Sequence, residues 1–76
     1  MSRNALEEAH GCFTQALAAA PRGQRFSIEI NLVNIEAELG RNEAAITRCR
    51  SLLIQRPDSA LVRSKLAQLL LDELGD

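Results

Sequence analysis

His10 is the single histidine of the chain, and with Cys12 and Cys49 it marks the place where a metal or a nucleophile would be sought. A zinc site needs three or four ligands converging on one point, and these usually come in closely spaced pairs. Cys12 follows His10 by two positions, which on a helix turns it toward a different side. No second histidine and no closely spaced cysteine pair completes a set. Neither a metal nor a cofactor is predicted, and His10 is expected as a part-exposed helix histidine. Two cysteines also fall short of the four or so that make a disulfide framework in a small secreted domain. Both are expected as free thiols that pack as small apolar side chains.

Glu29 and Glu36 form the most suggestive carboxylate pair. They share one side of a helix, but seven residues span about 10 Å of helix axis, too far for an acid/base dyad working on one atom. A more natural use is pairing with the arginines of the following segment, Arg48 especially. As a surface ion pair this is worth under about 1 kcal/mol. The four glycines are scattered singly, so no loop cradles a phosphate. No nucleophile has a base in reach by spacing, and the sequence does not predict an enzyme.

Composition removes further classes. A net charge of −1 and 3% aromatic residues, Phe13 and Phe26 alone, offer neither the basic footprint nor the stacking surface that nucleic-acid binding requires. With 46% hydrophobic and 25% charged residues, the 76-residue chain has the balance of a small soluble domain with no membrane span. Ala18-Ala19-Ala20 looks like a cleavage site, yet Glu7, Glu8 and His10 break any apolar core ahead of it. The expected setting is cytoplasmic.

The elements that must position these residues are set by turn signals. Pro21-Arg22-Gly23, Gly40-Arg41-Asn42 and Pro57-Asp58-Ser59 separate four segments. The first, about residues 4–20, carries Leu6, Ala9, Phe13, Ala16, Leu17 and Ala20 at three- and four-residue steps, with Asn4 as N-cap and Glu7 as its reciprocal partner. The second, Phe26 to Leu39, begins with strand-like alternation, but Ile28, Leu32, Ile35 and Leu39 form one helical stripe and Phe26, Ile30, Val33 and Ala37 the opposite one. This is a helix buried from two directions. Gly40 suits a left-handed helix end and Asn42 a cap for the third helix. That helix turns Ala45, Ile46, Cys49, Leu52 and Leu53 inward and Arg41, Arg48, Arg50 and Arg56 largely outward. Pro57 ends it, and Asp58 or Ser59 caps a fourth segment, about residues 59–74.

The segments repeat. The first and third match at an offset of 36 (Ala9 with Ala45, Ala16 with Leu52, Leu17 with Leu53, Pro21 with Pro57). The second and fourth match at 34 (Ile28 with Val62, Leu32 with Leu66, Ile35 with Leu69). Helix-turn-helix units at this period signal a solenoid. The run Leu32…Gly40-Arg41-Asn42-Glu43-Ala44-Ala45-Ile46…Leu53…Pro57 resembles the tetratricopeptide repeat, and Glu7-Glu8-Ala9…Phe13…Ala16-Leu17…Pro21 resembles the second helix of a preceding repeat. Departures are Glu29 and Glu36 where large residues are usual, Val33 beside the leucine, Leu52 at a later alanine, and two extra residues loosening the junction around Arg22-Gly23-Gln24. The resemblance implies an all-α, antiparallel helix-turn-helix solenoid of four helices over residues 1–76: a B helix (4–20), a full repeat (26–57) and a further A helix (59–74).

It also implies a protein-interaction scaffold that binds a peptide or partner helix in a concave groove. Carried across residue by residue, the groove is lined by Ser27, Asn31, Asn34 and Glu38 and by Leu61, Lys65, Gln68 and Asp72. Asparagine and glutamine amides serve both donors and acceptors of a peptide backbone. Lys65 is the only cation of that row, against Glu38 and Asp72, which disfavours a carboxylate guest. Val62, Leu66, Leu69, Leu70 and Leu74 of the fourth segment are expected to form a self-association face, because a repeat array needs its apolar end covered. A second copy would cover it in a homodimer, and in an excerpt of a longer repeat protein the next repeat would. The alternative function is a small homodimeric helical protein whose apolar face serves self-association only.

Overall fold

The computed structural model describes residues 2–75 and contains four helices: α1 (Arg3–Ala19), α2 (Arg22–Glu38), α3 (Asn42–Gln55) and α4 (Ala60–Leu74). Among the described residues there is no strand, so the fold is all-α. Substantial packing joins sequence neighbours, α1 with α2, α2 with α3 and α3 with α4. Sequential stacking of this kind makes a slab, and the extents of 36 × 33 × 16 Å describe one.

The helix ends show where local chemistry differs from the sequence reading. The α1 cap is Ser2, whose hydroxyl accepts from the Ala5 amide at 3.2 Å; Asn4 lies inside the helix. Serine caps well because its oxygen replaces the missing acceptor of the first turn, and here it acts two residues earlier than Asn4. α2 begins at Arg22, immediately after Pro21, rather than at Phe26. Pro21 has φ −60°, and its carbonyl accepts from the Gln24 amide at 3.0 Å. A proline at a helix start loses nothing by lacking an N–H, so Arg22-Gly23-Gln24 extend the helix instead of loosening the junction. α3 is capped by Arg41 without a side-chain bond, and Asn42 is its first residue, not its cap. Ser59 does cap α4, accepting from the Val62 amide.

Between α2 and α3 the turn is a Schellman motif. Arg41 donates its amide to the Glu36 carbonyl at 2.8 Å and Gly40 donates to Ala37 at 3.1 Å. Gly40 has φ +80°, the left-handed backbone that glycine adopts without a Cβ penalty.

The strand-like start of Phe26 to Leu39 is helical throughout, and both of its stripes are used. Val33 belongs to a core with Ala45, Ile46, Cys49, Leu52, Val62 and Leu69, against which Phe26, Ile30 and Ala37 pack. Leu32 and Leu39 are buried as well. Each large apolar side chain withdrawn in this way contributes about 1.5–3 kcal/mol. That gain outweighs the weak β preference of the local alternation, which no neighbouring strand is present to support.

Candidate functional site

Two clefts flank α2. Glu38, Lys65, Gln68 and Asp72 converge on a cleft of about 190 Å³ between α2 and α4, floored by Val33, Ala37 and Leu69. Asn31, Asn34 and again Glu38 border a second, of about 240 Å³, between α1 and α2, where Leu6, Ala9, Phe13 and Ile35 supply the apolar wall. Six of the eight sequence-derived groove residues thus border these clefts, and Glu38 stands on the ridge between them. Ser27 is exposed and borders neither. Leu61 is exposed and lies away from both, near Ile30 and Leu52.

Within this surface the amides differ in readiness. Asn31 spends its Nδ2 on the Ser27 carbonyl one turn back, at 3.2 Å. Asn34 is half-buried, and its Oδ1 is shielded from solvent with no donor among the described residues. A shielded acceptor without a partner is costly, on the order of 1–3 kcal/mol, and an N–H arriving in the α1–α2 cleft recovers that cost.

The apolar face of α4 divides differently from the sequence expectation. Val62 and Leu69 are 2% and 4% exposed and belong to the core, so they are not available to a second molecule. Leu66 and Leu70 are partly buried against the same core. Of the expected set only Leu74 is open, at 83%, joined by Leu71 at 67%. α4 lies on α3 with the face that repeats the Ile28, Leu32 and Ile35 stripe, which leaves the neighbouring side of the helix uncovered.

A polar cluster that the sequence reading treated as surface contains the most enclosed charged group among the described residues. Glu36 is 3% exposed. Arg48 donates Nε to its Oε1 at 3.0 Å and Nη2 to its Oε2 at 3.1 Å, and His10 donates Nε2 to Oε2 at 3.0 Å. Burial alone pushes the Glu36 carboxyl up, but the hydrogen bonds from Arg48 and His10 outweigh it and hold the group below its ordinary value. The predicted Glu36–Arg48 pairing is present, though buried, and Arg48 is turned inward. Glu29 makes no ion pair among the described residues. The cluster ties α1, α2 and α3 together.

Further ties are Arg41 with Glu7 at 2.7 Å, exposed, and the Arg56 guanidinium 4.0 Å above the Phe26 ring, an arrangement worth about 0.5–1 kcal/mol at an open site. Cys49 is buried and burial pushes its thiol pKa up; Cys12 is exposed. Among the described residues no group of histidine, cysteine or carboxylate side chains is placed to hold a metal, and no helix is long and apolar enough to cross a membrane.

The family model of the tetratricopeptide repeat matches residues 1–69. No curated protein and no solved structure matches the chain.

Proposed function

The chain belongs to the tetratricopeptide repeat family, whose members are typically non-catalytic protein-interaction modules, and on that premise we propose that it binds a peptide along the surface formed by the two clefts beside α2. In this reading α1 is the second helix of one repeat, α2 and α3 form a complete repeat, and α4 opens the next. The observation that carries the proposal is the unpartnered Oδ1 of Asn34 in an apolar-walled cleft. It is an acceptor already shielded from water and lacking only a donor, as a peptide backbone N–H would supply.

The surroundings set the character of the guest. Glu38 and Asp72 outnumber Lys65 around the α2–α4 cleft, so a neutral or basic segment fits and a terminal carboxylate does not. Apolar side chains of the guest would rest on Leu6, Phe13 and Ile35, and Gln68 offers both a donor and an acceptor to its backbone.

Panning a displayed library of random peptides against the protein tests this. Enriched peptides should be apolar with lysine or arginine, and the N34A/Q68A variant should lose them while its helical circular dichroism is unchanged. Enrichment of acidic peptides, or undiminished binding by that variant, would refute the groove. The self-association expected of α4 is a separate property of a separate face.

A further inference from the structure

The repeat offsets let the surroundings of one helix be compared with those of its equivalent. α2 packs substantially on both sides, against α1 and α3, whereas the substantial helix packing of α4 among the described residues is against α3. Glu36 of α2 lies between His10 of α1 and Arg48 of α3. Shifted by one repeat, Glu36 becomes Leu70, His10 becomes Ile46, and Arg48 becomes Cys12. Leu70 packs against the core cluster that contains Ile46, which reproduces the first of the two contacts in apolar form. Its second neighbour has no counterpart within the chain. The residue whose position answers to it, Cys12, is exposed on the outer side of α1.

Both ends of the missing contact therefore changed character together. An acid facing a base inside the chain corresponds to an apolar residue facing an apolar residue at its open ends. A second position does the reverse. Glu29 and Ala44 border one cleft between α2 and α3, and their equivalents are Arg63 and Glu8, both exposed. In place of a charge beside an alanine stand a base on α4 and an acid on α1. On the same open side of α4, Ala37 and Gly40 are replaced by Leu71 and Leu74, which stand exposed.

We propose that the chain associates with further copies of itself head to tail, α4 of one molecule lying on α1 of the next as α2 lies on α3 within the molecule. Leu70 meets Cys12, and Arg63 meets Glu8. The inference rests on the repeat assignment given under Proposed function, but uses faces distinct from the peptide clefts. An interface built from two different patches does not close on itself at two copies unless its rotation happens to return. The product is a growing solenoid rather than a two-fold dimer.

Sedimentation from micromolar to millimolar concentration tests it with three variants whose changes are confined to exposed side chains. The wild type should rise in mass past the dimer. R63E and E8R should each shift association to concentrations at least about tenfold higher, because each sets like charges opposite one another. The R63E/E8R double variant, with the pair reversed, should regain wild-type association. A wild-type monomer throughout, a plateau at the dimer, or single variants that associate as the wild type does would each overturn the register. So would a double variant no better than the singles. Retained peptide binding in those cases would leave the groove standing, and undiminished peptide binding by N34A/Q68A with association intact would reject the groove alone.

Discussion

The carboxylate of Glu36 accepts both Nε and Nη2 of Arg48 across the α2–α3 contact, at 3.0 and 3.1 Å, while lying 3% exposed. Paired in this fork geometry the two charges satisfy one another, and the Glu36 carboxylate has little access to water if Arg48 is removed. Arg48→Ala should therefore cost about 3–5 kcal/mol, the range for leaving a buried charge unpaired. Replacing both partners, as E36L/R48L, should cost much less, because an apolar pair of similar volume carries no desolvation penalty. Urea denaturation followed by circular dichroism measures both. A double variant less stable than R48A would show that the pair itself supplies the stability.

Acid should act through the same carboxylate. Its folded pKa lies below the ordinary value of 4.5, so the stabilisation is fully present above that value and is lost as pH falls through the folded one. The urea midpoint of the wild type should fall steeply below about pH 5. Glu36→Gln removes the titrating group, and its midpoint should decline less over the same interval. Parallel curves for the two proteins would remove Glu36 from the acid response.

The four helices and the two-sided burial of α2 were legible because apolar spacing reports which faces meet protein, and Leu32, Val33 and Leu39 are buried accordingly. The end of α2 was legible because only a left-handed residue completes that turn, and Gly40 stands there. His10 and Glu36 were not connected in advance: they are 26 residues apart in sequence, and a side-chain pattern says nothing of what a neighbouring helix brings opposite. The burial of Glu36 had one available signal, its place between the two apolar stripes of a helix wedged on both sides. Val62 and Leu69 were assigned to an open face because periodicity shows that a side is apolar without showing whether α3 already occupies it. The clefts gathered most of the polar row, while Ser27, nearer the start of α2, borders neither.

Glycine substitutions should separate backbone strain from helix propensity. A Cβ on Gly40 or on Gly11 would touch nothing within 4 Å, but Gly40 alone has positive φ. Gly40→Ala should cost about 1–2 kcal/mol through the left-handed backbone. Gly11→Ala, in the middle of α1, should add about 0.5–1 kcal/mol. Thermal melts would show opposite shifts of the midpoint, and a destabilising G11A would mean that the outer side of α1 is covered in solution.

The two thiols should report the fold from within. Cys12 is exposed and Cys49 is 1% exposed, with burial raising its pKa, so the thiolate that attacks a disulfide reagent is scarce and shielded at Cys49. In dilute protein, an aromatic disulfide reagent should titrate one thiol rapidly and the second only at the rate at which the core opens. Cys12→Ser should abolish the fast phase and Cys49→Ser the slow one. Urea below the unfolding midpoint should accelerate the slow phase in step with the loss of helicity, and R48A should do the same without denaturant, since it loosens the α2–α3 contact beside which Cys49 packs. Two equally fast thiols in the native wild type would place Cys49 outside the core and contradict the packing of α3.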